Sequence, residues 1–421
     1  MKQDLIKKLI VAALAVCVFF FSATAGYCLI DLSVIVENGG GGGGGGSSSS
    51  RQRAFQHLYE SMDRYETSGI RLIESFSYPY PDGQFGTAWV YDNALAIIAL
   101  VSRGYPEDKA RARLLCETLI WAQHHDPNGY NDGRLRDSYW ATDIDPNGPN
   151  GAAAAKDPNT STGNMAWTII AWLYYYNHAG DSDQAFRQQV LDAAKWLGNF
   201  LETAWSPAGP YPGYHIGYAG WDPYVIDPDI KSTEQNADLY IAFKRLSETP
   251  SAESYWLSQA LRARTFVLSM RNAGQSRYYV GTTETGAIND NPQALDANAM
   301  PILSLNDFTP INWIENNCHL FSDGFEGFDF NNDRDGIWFE GTGQMAVVYK
   351  MAGRSLDSRK YILQMRQAQN IPAPYGNGKG IISASHDGVS TGFEWWLLFK
   401  SMSLSATSWF IFAEFGLNPF N

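Results

Sequence analysis

Carboxylates stand repeatedly at the starts of apolar segments in this chain. Asp92 follows Trp89-Val-Tyr91 and precedes Asn93-Ala-Leu-Ala-Ile-Ile-Ala-Leu100, and Glu234 opens Glu234-Gln-Asn236-Ala-Asp238-Leu-Tyr240. Asp296 leads Asp296-Ala-Asn298-Ala-Met, and Glu340 follows Trp338-Phe339 and precedes Gly341-Thr342-Gly343-Gln344. Two more segments share the layout with uncharged leads, Gly163-Asn164-Met-Ala-Trp167 and Ser405-Ala-Thr407-Ser-Trp409. Carboxyl groups that meet in a partly dry site take different protonation states, so that one donates a proton and another accepts it. These acids are tens of residues apart, so they act together only if the elements behind them bring six starts to one mouth.

Glu340, Glu234 and Asp92 are the candidate catalytic acids. Trp338 and Phe339 beside Glu340 predict desolvation, which raises a carboxyl pKa as a proton donor requires. Ser232-Thr-Glu-Gln235 reads as a capping box with Ser232 at N-cap and Gln235 at N3. Glu234 then lies in the first helical turn, where the helix dipole favours a carboxylate and suits it to a base. The competing readings are an ordinary first-turn acid for Glu234 and Glu340, and a hydrogen bond to a neighbouring helix terminus for Asp92. Trp89, Tyr91, Asn236, Asp238, Asp296 and Trp338, with Trp221 from a loop, are the candidates for holding a substrate. Glu394, within Gly392-Phe-Glu-Trp-Trp, reads as a structural ion pair.

Helical periodicity predicts twelve helices, at 52–66, 88–102, 108–125, 163–178, 183–203, 233–247, 251–272, 295–305, 310–319, 340–353, 358–369 and 404–415. Apolar members alternate with amphipathic ones such as 183–203, the pattern of an inner ring inside an outer one. Short turns such as Ala179-Gly-Asp-Ser182 join helix pairs into hairpins. Long irregular stretches precede the inner helices, at 75–87, 126–162, 206–232, 275–294 and 370–402. They carry many aromatic residues, among them Tyr78, Tyr80, Tyr139, Trp140, Tyr211, Tyr214, Tyr218, Trp221 and Tyr224. Loops this long inside a compact domain usually carry function.

Lys2, Lys7 and Lys8 precede an apolar run from Leu9 to Phe21, and Ala23-Thr24-Ala25 supplies small residues before Gly26. That is the layout of a bacterial-type export signal, residues 1–25, and predicts a secreted or periplasmic protein with no membrane span after cleavage. Residues 26–50, with Gly39–Gly46 and Ser47–Ser50, form a flexible linker, and 51–421 form one domain. The formal charge of −13 becomes −15 when residues 1–25, with three Lys and one Asp, are removed. Such a surface repels polyanions, and nucleic acid is excluded as a partner. Cys28, Cys116 and Cys318 make no disulfide framework and no CxxC metal site, and Cys116 reads as a small buried hydrophobe.

Over nearly all of 51–421 the chain resembles the six-hairpin glycosidases, carbohydrate-active enzymes built on an (α/α)6 toroid. The resemblance rests on the hairpin count and on Trp89-Val-Tyr-Asp92-Asn, Glu234-Gln-Asn236-Ala-Asp238-Leu-Tyr240, Ile337-Trp-Phe-Glu340-Gly-Thr and Trp409-Phe-Ile-Phe-Ala-Glu414-Phe-Gly-Leu-Asn-Pro419-Phe. It implies an all-α toroid and a glycoside hydrolase with a poly- or oligosaccharide substrate. Glycoside hydrolysis uses one protonated carboxyl and a second carboxylate, with Glu340 expected as acid and Asp92 or Glu234 as base. Aromatic faces pack on sugar C–H faces, as the loop composition suits. A uronate lyase on the same scaffold would draw on Tyr214-His215 or Arg277-Tyr278-Tyr279, and a non-catalytic carbohydrate-binding or envelope protein is the alternative outside enzymes.

No cofactor is required for that chemistry, but two loops have the oxygen spacing of a structural calcium site: Asp143-Ile-Asp145-Pro-Asn147-Gly148, and Asn331-Asn-Asp333-Arg-Asp335-Gly336 with Asp329 just before. Their twelfth positions are Ala154 and Thr342, so the bidentate Glu is missing. The second loop is the expected site, through Asn331, Asp333 and Asp335; the competing reading is an Asp/Asn-rich turn.

Overall fold

The computed structural model describes residues 49–421 apart from 66–68, 82, 145–152, 222–223, 251–252 and 394–395. The export signal, most of the linker, Asp145, Asn147 and Gly148 of the first acidic loop, and Glu394 lie outside the described residues. Twelve helices occur among the described residues: α1 (Ser50–Met62), α2 (Val90–Arg103), α3 (Pro106–His124), α4 (Thr162–His178), α5 (Gln184–Glu202), α6 (Thr233–Ser247), α7 (Glu253–Ser269), α8 (Asp296–Leu305), α9 (Ile311–Asn317), α10 (Phe339–Met351), α11 (Ser355–Gln369) and α12 (Leu404–Phe415). Each coincides with a predicted helix to within a few residues. None of the described helices is long and apolar enough to cross a membrane.

The even-numbered helices are the inner ring. Each touches the next, α2 to α4, α6, α8, α10, α12 and back to α2. Their sequences dictate this position: α12 is buried from Leu404 to Ala413 and α10 from Phe339 to Tyr349, and a helix apolar all round is stable only among other helices. Odd-numbered helices bury one stripe, as α5 does with Phe186, Val190, Ala194, Leu197 and Leu201. Each large apolar side chain removed from water contributes about 1.5–3 kcal/mol. The Ser49 hydroxyl at the end of the Gly/Ser tract caps α1 by accepting from Gln52 N at 3.2 Å. Cys116 and Cys318 are buried free thiols.

Short strands tie the long loops together. β1 (Thr87–Trp89), β2 (Ser138–Trp140) and β3 (Ala155–Asp157) form one antiparallel sheet that pairs Ala88 with Tyr139 and Tyr139 with Ala155. A sixth long connection, 318–338, was not expected as one. It holds the hairpin β4 (His319–Ser322) and β5 (Phe325–Phe328), turned by Asp323 and Gly324 at φ of 54° and 83°, the two-residue Asp-Gly turn that suits strand twist.

A repeated pin docks these loops onto the inner ring. Asn93, Asn236, Asn298, Thr342 and Thr407 each donate from the side chain to the carbonyl four residues earlier, that of Trp89, Ser232, Ala294, Trp338 and Ser403. Each also accepts a loop backbone N–H, from Ile73, Tyr214, Tyr278, Phe328 and Ile381 respectively. At the other end of the inner helices the C-terminal segment closes the ring. Asn418 donates to Leu303 O, Arg245 to Pro419 O, and the Phe420 ring stacks on Trp167 with centroids 4.8 Å apart.

Candidate active site

The pins set a register. Two residues before each pin stand Tyr91, Glu234, Asp296, Glu340 and Ser405, and the equivalent first-turn position of α4 is Gly163. These positions form a ring at the N-terminal ends of the inner helices. Tyr91 on α2 donates to Glu340 Oε1 on α10 at 2.6 Å, and Trp409 on α12 donates its indole N–H to Tyr91 Oη at 3.0 Å. The helix-start acids of α2, α6, α8 and α10 therefore converge. One turn below the ring lie Asp238, Gln344, Trp167 and Trp409, with the Trp167 and Trp409 ring centroids 6.1 Å apart. Phe420 under Trp167 gives the pit a floor.

Burial and mutual repulsion govern the charges. Glu234 is pushed well above the usual carboxyl range by burial, then by Asp296, Asp238 and Glu340, and it donates a hydrogen bond to Asp296. Asp296 is pushed up to about 6 by burial, which its own Ala297 N–H at 2.6 Å and the Glu234 hydroxyl offset. Glu340 is raised to about 7 by burial, against the Tyr91 and Ser405 hydroxyls that favour its charged form. Asp92 is raised strongly by burial and by Glu340, with Ser75 hydrogen-bonded to it. Asp238 is raised strongly by burial and by Asp296.

The expectation of a lowered Glu234 pKa is therefore reversed. The Ser232 hydroxyl does cap α6 by accepting from Gln235 N at 3.2 Å, but desolvation and three neighbouring carboxyls outweigh a dipole effect of about 0.3–1 kcal/mol. Gln235 does not reach back to complete the box; it accepts from Thr162 Oγ1 on α4 at 2.8 Å.

The candidate substrate-holding residues divide. Tyr91, Asp238 and Asp296 belong to the pit. Asn236 does not serve there: its amide accepts from Tyr214 N and donates to Tyr214 O and Ser232 O, which makes it a pin. Trp338 is buried against Phe330 and over Gly341, where an added Cβ would lie 2.3 Å from its ring. It walls the site instead of offering a face. Trp89 is half-buried, with its indole donating to Gln84 Oε1 at 3.0 Å. Trp221 stands in its loop, 45% exposed, with the Arg136 guanidinium 5.9 Å from its ring. Of the loop aromatics, Tyr139 and Tyr214 are buried, whereas Tyr78 is 67% exposed.

In the second acidic loop Asp329, Asp333 and Asp335 offer oxygens within 4.8 Å of one another. Asn331 lies beside that group: its Oδ1 accepts from Asp333 N at 2.7 Å, and its Nδ2 donates to Asp333 Oδ2 at 3.2 Å and to Ser390 O at 3.1 Å. The lyase candidates are engaged elsewhere. The Tyr214 hydroxyl donates to Gln259, His215 Nδ1 accepts from Gly217 N and burial lowers the ring to about 4, and Arg277 pairs with Asp290. Sequence reasoning passed over Ser405 and Gln344, whose signal was their spacing from the pin residues.

No family model and no curated protein matches this sequence. Solved structures do. A glycosidase in complex with glucose aligns over 89% of this chain and 100% of its own, at 13% identity and a TM-score of 0.60. A sugar epimerase from a ruminal bacterium covers 87% of this chain and 98% of its own at 14% identity, TM-score 0.59. A family 76 glycoside hydrolase, a mannosidase from Bacteroides thetaiotaomicron, covers 88% and 98% at 12% identity, TM-score 0.57. The fold is the six-hairpin glycosidase toroid. Within that toroid, the acid-lined pit lies where the long loops meet the N-terminal ends of the inner helices.

Proposed function

We propose that this chain is an exported glycoside hydrolase acting outside the cytoplasm on a poly- or oligosaccharide, with Glu234 as general acid and Glu340 as general base. The observation that carries the reading is the contrast between their hydrogen-bond partners. Glu234 faces Asp296, a contact between carboxyls that needs one shared proton, and burial with three neighbouring carboxyls pushes Glu234 well up as its holder. Glu340 faces the donors Tyr91 and Ser405, a setting that favours its ionised form.

This exchanges the roles expected from the flanking residues. In the reaction Glu234 releases its proton to the glycosidic oxygen as the bond from that oxygen to the anomeric carbon breaks. A water oxygen bonds to the anomeric carbon, and Glu340 takes the water proton. Between turnovers Glu340 releases the proton it took from water and Glu234 regains one from solvent, and Tyr91 keeps the Glu340 carboxylate aimed into the pit. Exposed aromatics such as Tyr78 supply apolar faces for sugar rings along the approach. A uronate lyase is disfavoured, because Tyr214, His215 and Arg277, which it would use, have other partners.

The test is a glycan panel incubated with the purified protein and read for new reducing ends and for ultraviolet absorbance. Reducing ends without absorbance, abolished in both Glu234→Gln and Glu340→Gln, support the hydrolase. Absorbance from an unsaturated product moves the reading to a lyase, and silence on a broad panel moves it to a binding protein.

A further inference from the structure

We propose that Trp167 and Phe420 are positioning residues for the hydrolysis, bracing Tyr91 so that its hydroxyl proton goes to Glu340. This rests on the reading above, in which Glu340 is the base.

Tyr91 has one hydroxyl proton and two neighbours for its oxygen. An indole N–H only donates, so in the 3.0 Å contact with Trp409 the Tyr91 oxygen accepts. The hydroxyl proton is left for Glu340 Oε1, 2.6 Å away. A phenol that donates to a carboxylate favours the ionised form, the form that takes a proton from water. Both contacts depend on where the Tyr91 ring lies, because hydrogen bonds weaken steeply as their angle closes.

Packing fixes that ring. The Trp167 and Tyr91 centroids are 5.5 Å apart with their planes at 75°, and the Trp167 and Trp409 centroids are 6.1 Å apart at 79°, both edge to face. Trp167 therefore meets the phenol and also the indole that donates to it. Against Trp167 the Phe420 ring is stacked, with centroids 4.8 Å apart and planes 29° apart. Trp167 is 2% exposed and Phe420 4%, so neither offers a face to a sugar. The Trp167 side chain serves the Asp238 carboxyl instead.

Phe420 is itself held from both sides. Arg245 on α6 donates to Pro419 O at 3.1 Å, to Asn421 O at 2.5 Å and to Ile170 O on α4 at 3.0 Å. Asn418 donates to Leu303 O on α8 at 2.9 Å and accepts from Phe420 N at 3.0 Å. A line of contacts thus runs from the C-terminal segment through Trp167 and Tyr91 to the base. The Phe420 side chain has no polar group, so any effect it has on the titration of Glu340 passes through packing. The titratable groups facing Glu340 are Tyr91 and Asp92 on α2, Glu234 on α6 and Asp296 on α8, and the replacements at 420 and 167 leave all four present.

The experiment follows kcat against pH on a glycan cleaved in the panel above, for the unaltered protein, Phe420→Ala, Trp167→Phe, Tyr91→Phe and the double variant Phe420→Ala/Tyr91→Phe. Phe420→Ala and Trp167→Phe are each expected to move the acid limb to higher pH by about half a unit, part of what one hydrogen bond to a charged group supports. Phe420→Tyr, which keeps the ring, should leave the limb in place. In the Tyr91→Phe background Phe420→Ala should add about 0.2 unit or less, because the hydroxyl through which the brace acts is gone. Circular dichroism identifies a variant that misfolds; Phe420→Leu then replaces Phe420→Ala, and Trp167→Phe decides independently. An acid limb unmoved in both single variants overturns the inference and leaves the glycosidase reading standing, as does a shift of equal size with and without the Tyr91 hydroxyl. If no glycan is cleaved, or if Glu340→Gln keeps the full rate, the reading of Glu340 as base falls and this inference with it.

Discussion

Two acidic clusters in this chain have been satisfied in opposite ways. In the loop ahead of α10, Asp329 is fully buried, but its two oxygens accept from Phe330 N at 2.7 Å and Asp335 N at 2.8 Å, and Asp335 in turn accepts from Ser390 N. In the pit, Asp238 is equally buried, and the donor beside its carboxyl is the Trp167 side chain. Both acids are raised above the usual carboxyl range, Asp329 to about 8. What separates the two regions is the source of the donors: Asp329 is met by backbone N–H groups of its own loop, whereas Glu340 and Asp238 are met by the side chains of Tyr91 and Trp167 from other inner helices.

The sharpest break between the clusters should come from removing single pit carboxyls. Glu234→Gln and Glu340→Gln are each expected to lower kcat by about 10²–10⁴-fold, the range of general acid–base contributions, with melting curves unchanged. An equal loss from Asp329→Asn, measured per folded molecule, would erase the distinction. On the loop side, Asp329→Ala removes the acceptor for two backbone N–H groups and should cost about 1–3 kcal/mol of stability, read from denaturant unfolding, with kcat retained in the folded fraction.

The pins allow a control. Asn236→Leu leaves Tyr214 N–H and C=O without partners, and about 1–3 kcal/mol of destabilisation is expected. A selective rise in KM at full stability would instead restore Asn236 to the substrate-holding set.

The clusters also differ in how pH reads them. Asp329 binds its proton more tightly folded, at about 8, than unfolded, at about 3.9. Its contribution is therefore present at low pH and is lost as pH rises from about 4 through about 8. Asp329→Asn should flatten the fall in Tm between pH 5 and pH 8. The pit should appear in activity, where kcat declines on the acid side as Glu340, at about 7, becomes protonated. Tyr91→Phe removes a donor to the ionised form, so that acid limb should move to higher pH, the smallest of these effects and one that a purely structural Tyr91 would not produce.

The sequence carried the fold far because each inner helix must be buried all round and each outer helix on one stripe, and the 3.6-residue period records that directly. All twelve helices were legible for this reason. The sixth loop was not, since the helix signal of 310–319 runs into the Ser322-Asp-Gly-Phe325 turn, whose two-residue hairpin cue is short. The site was legible as a set of polar clusters, but not in its roles. Asn236 sits two residues from Glu234 with comparable polarity, and only the loop backbone arriving at Tyr214 makes one a pin and leaves the other in the pit. Trp338 reads like a sugar platform until Phe330 and Gly341 are seen against it.

By itself, then, the order of residues determined the twelve helices, their inner or outer place, and which ends carry acids, because these follow from local periodicity and burial. Only the tertiary structure decided which acid holds a proton. A carboxyl pKa depends on the dielectric and the charges within a few ångströms, and those neighbours come from helices that are tens to hundreds of residues apart in the chain.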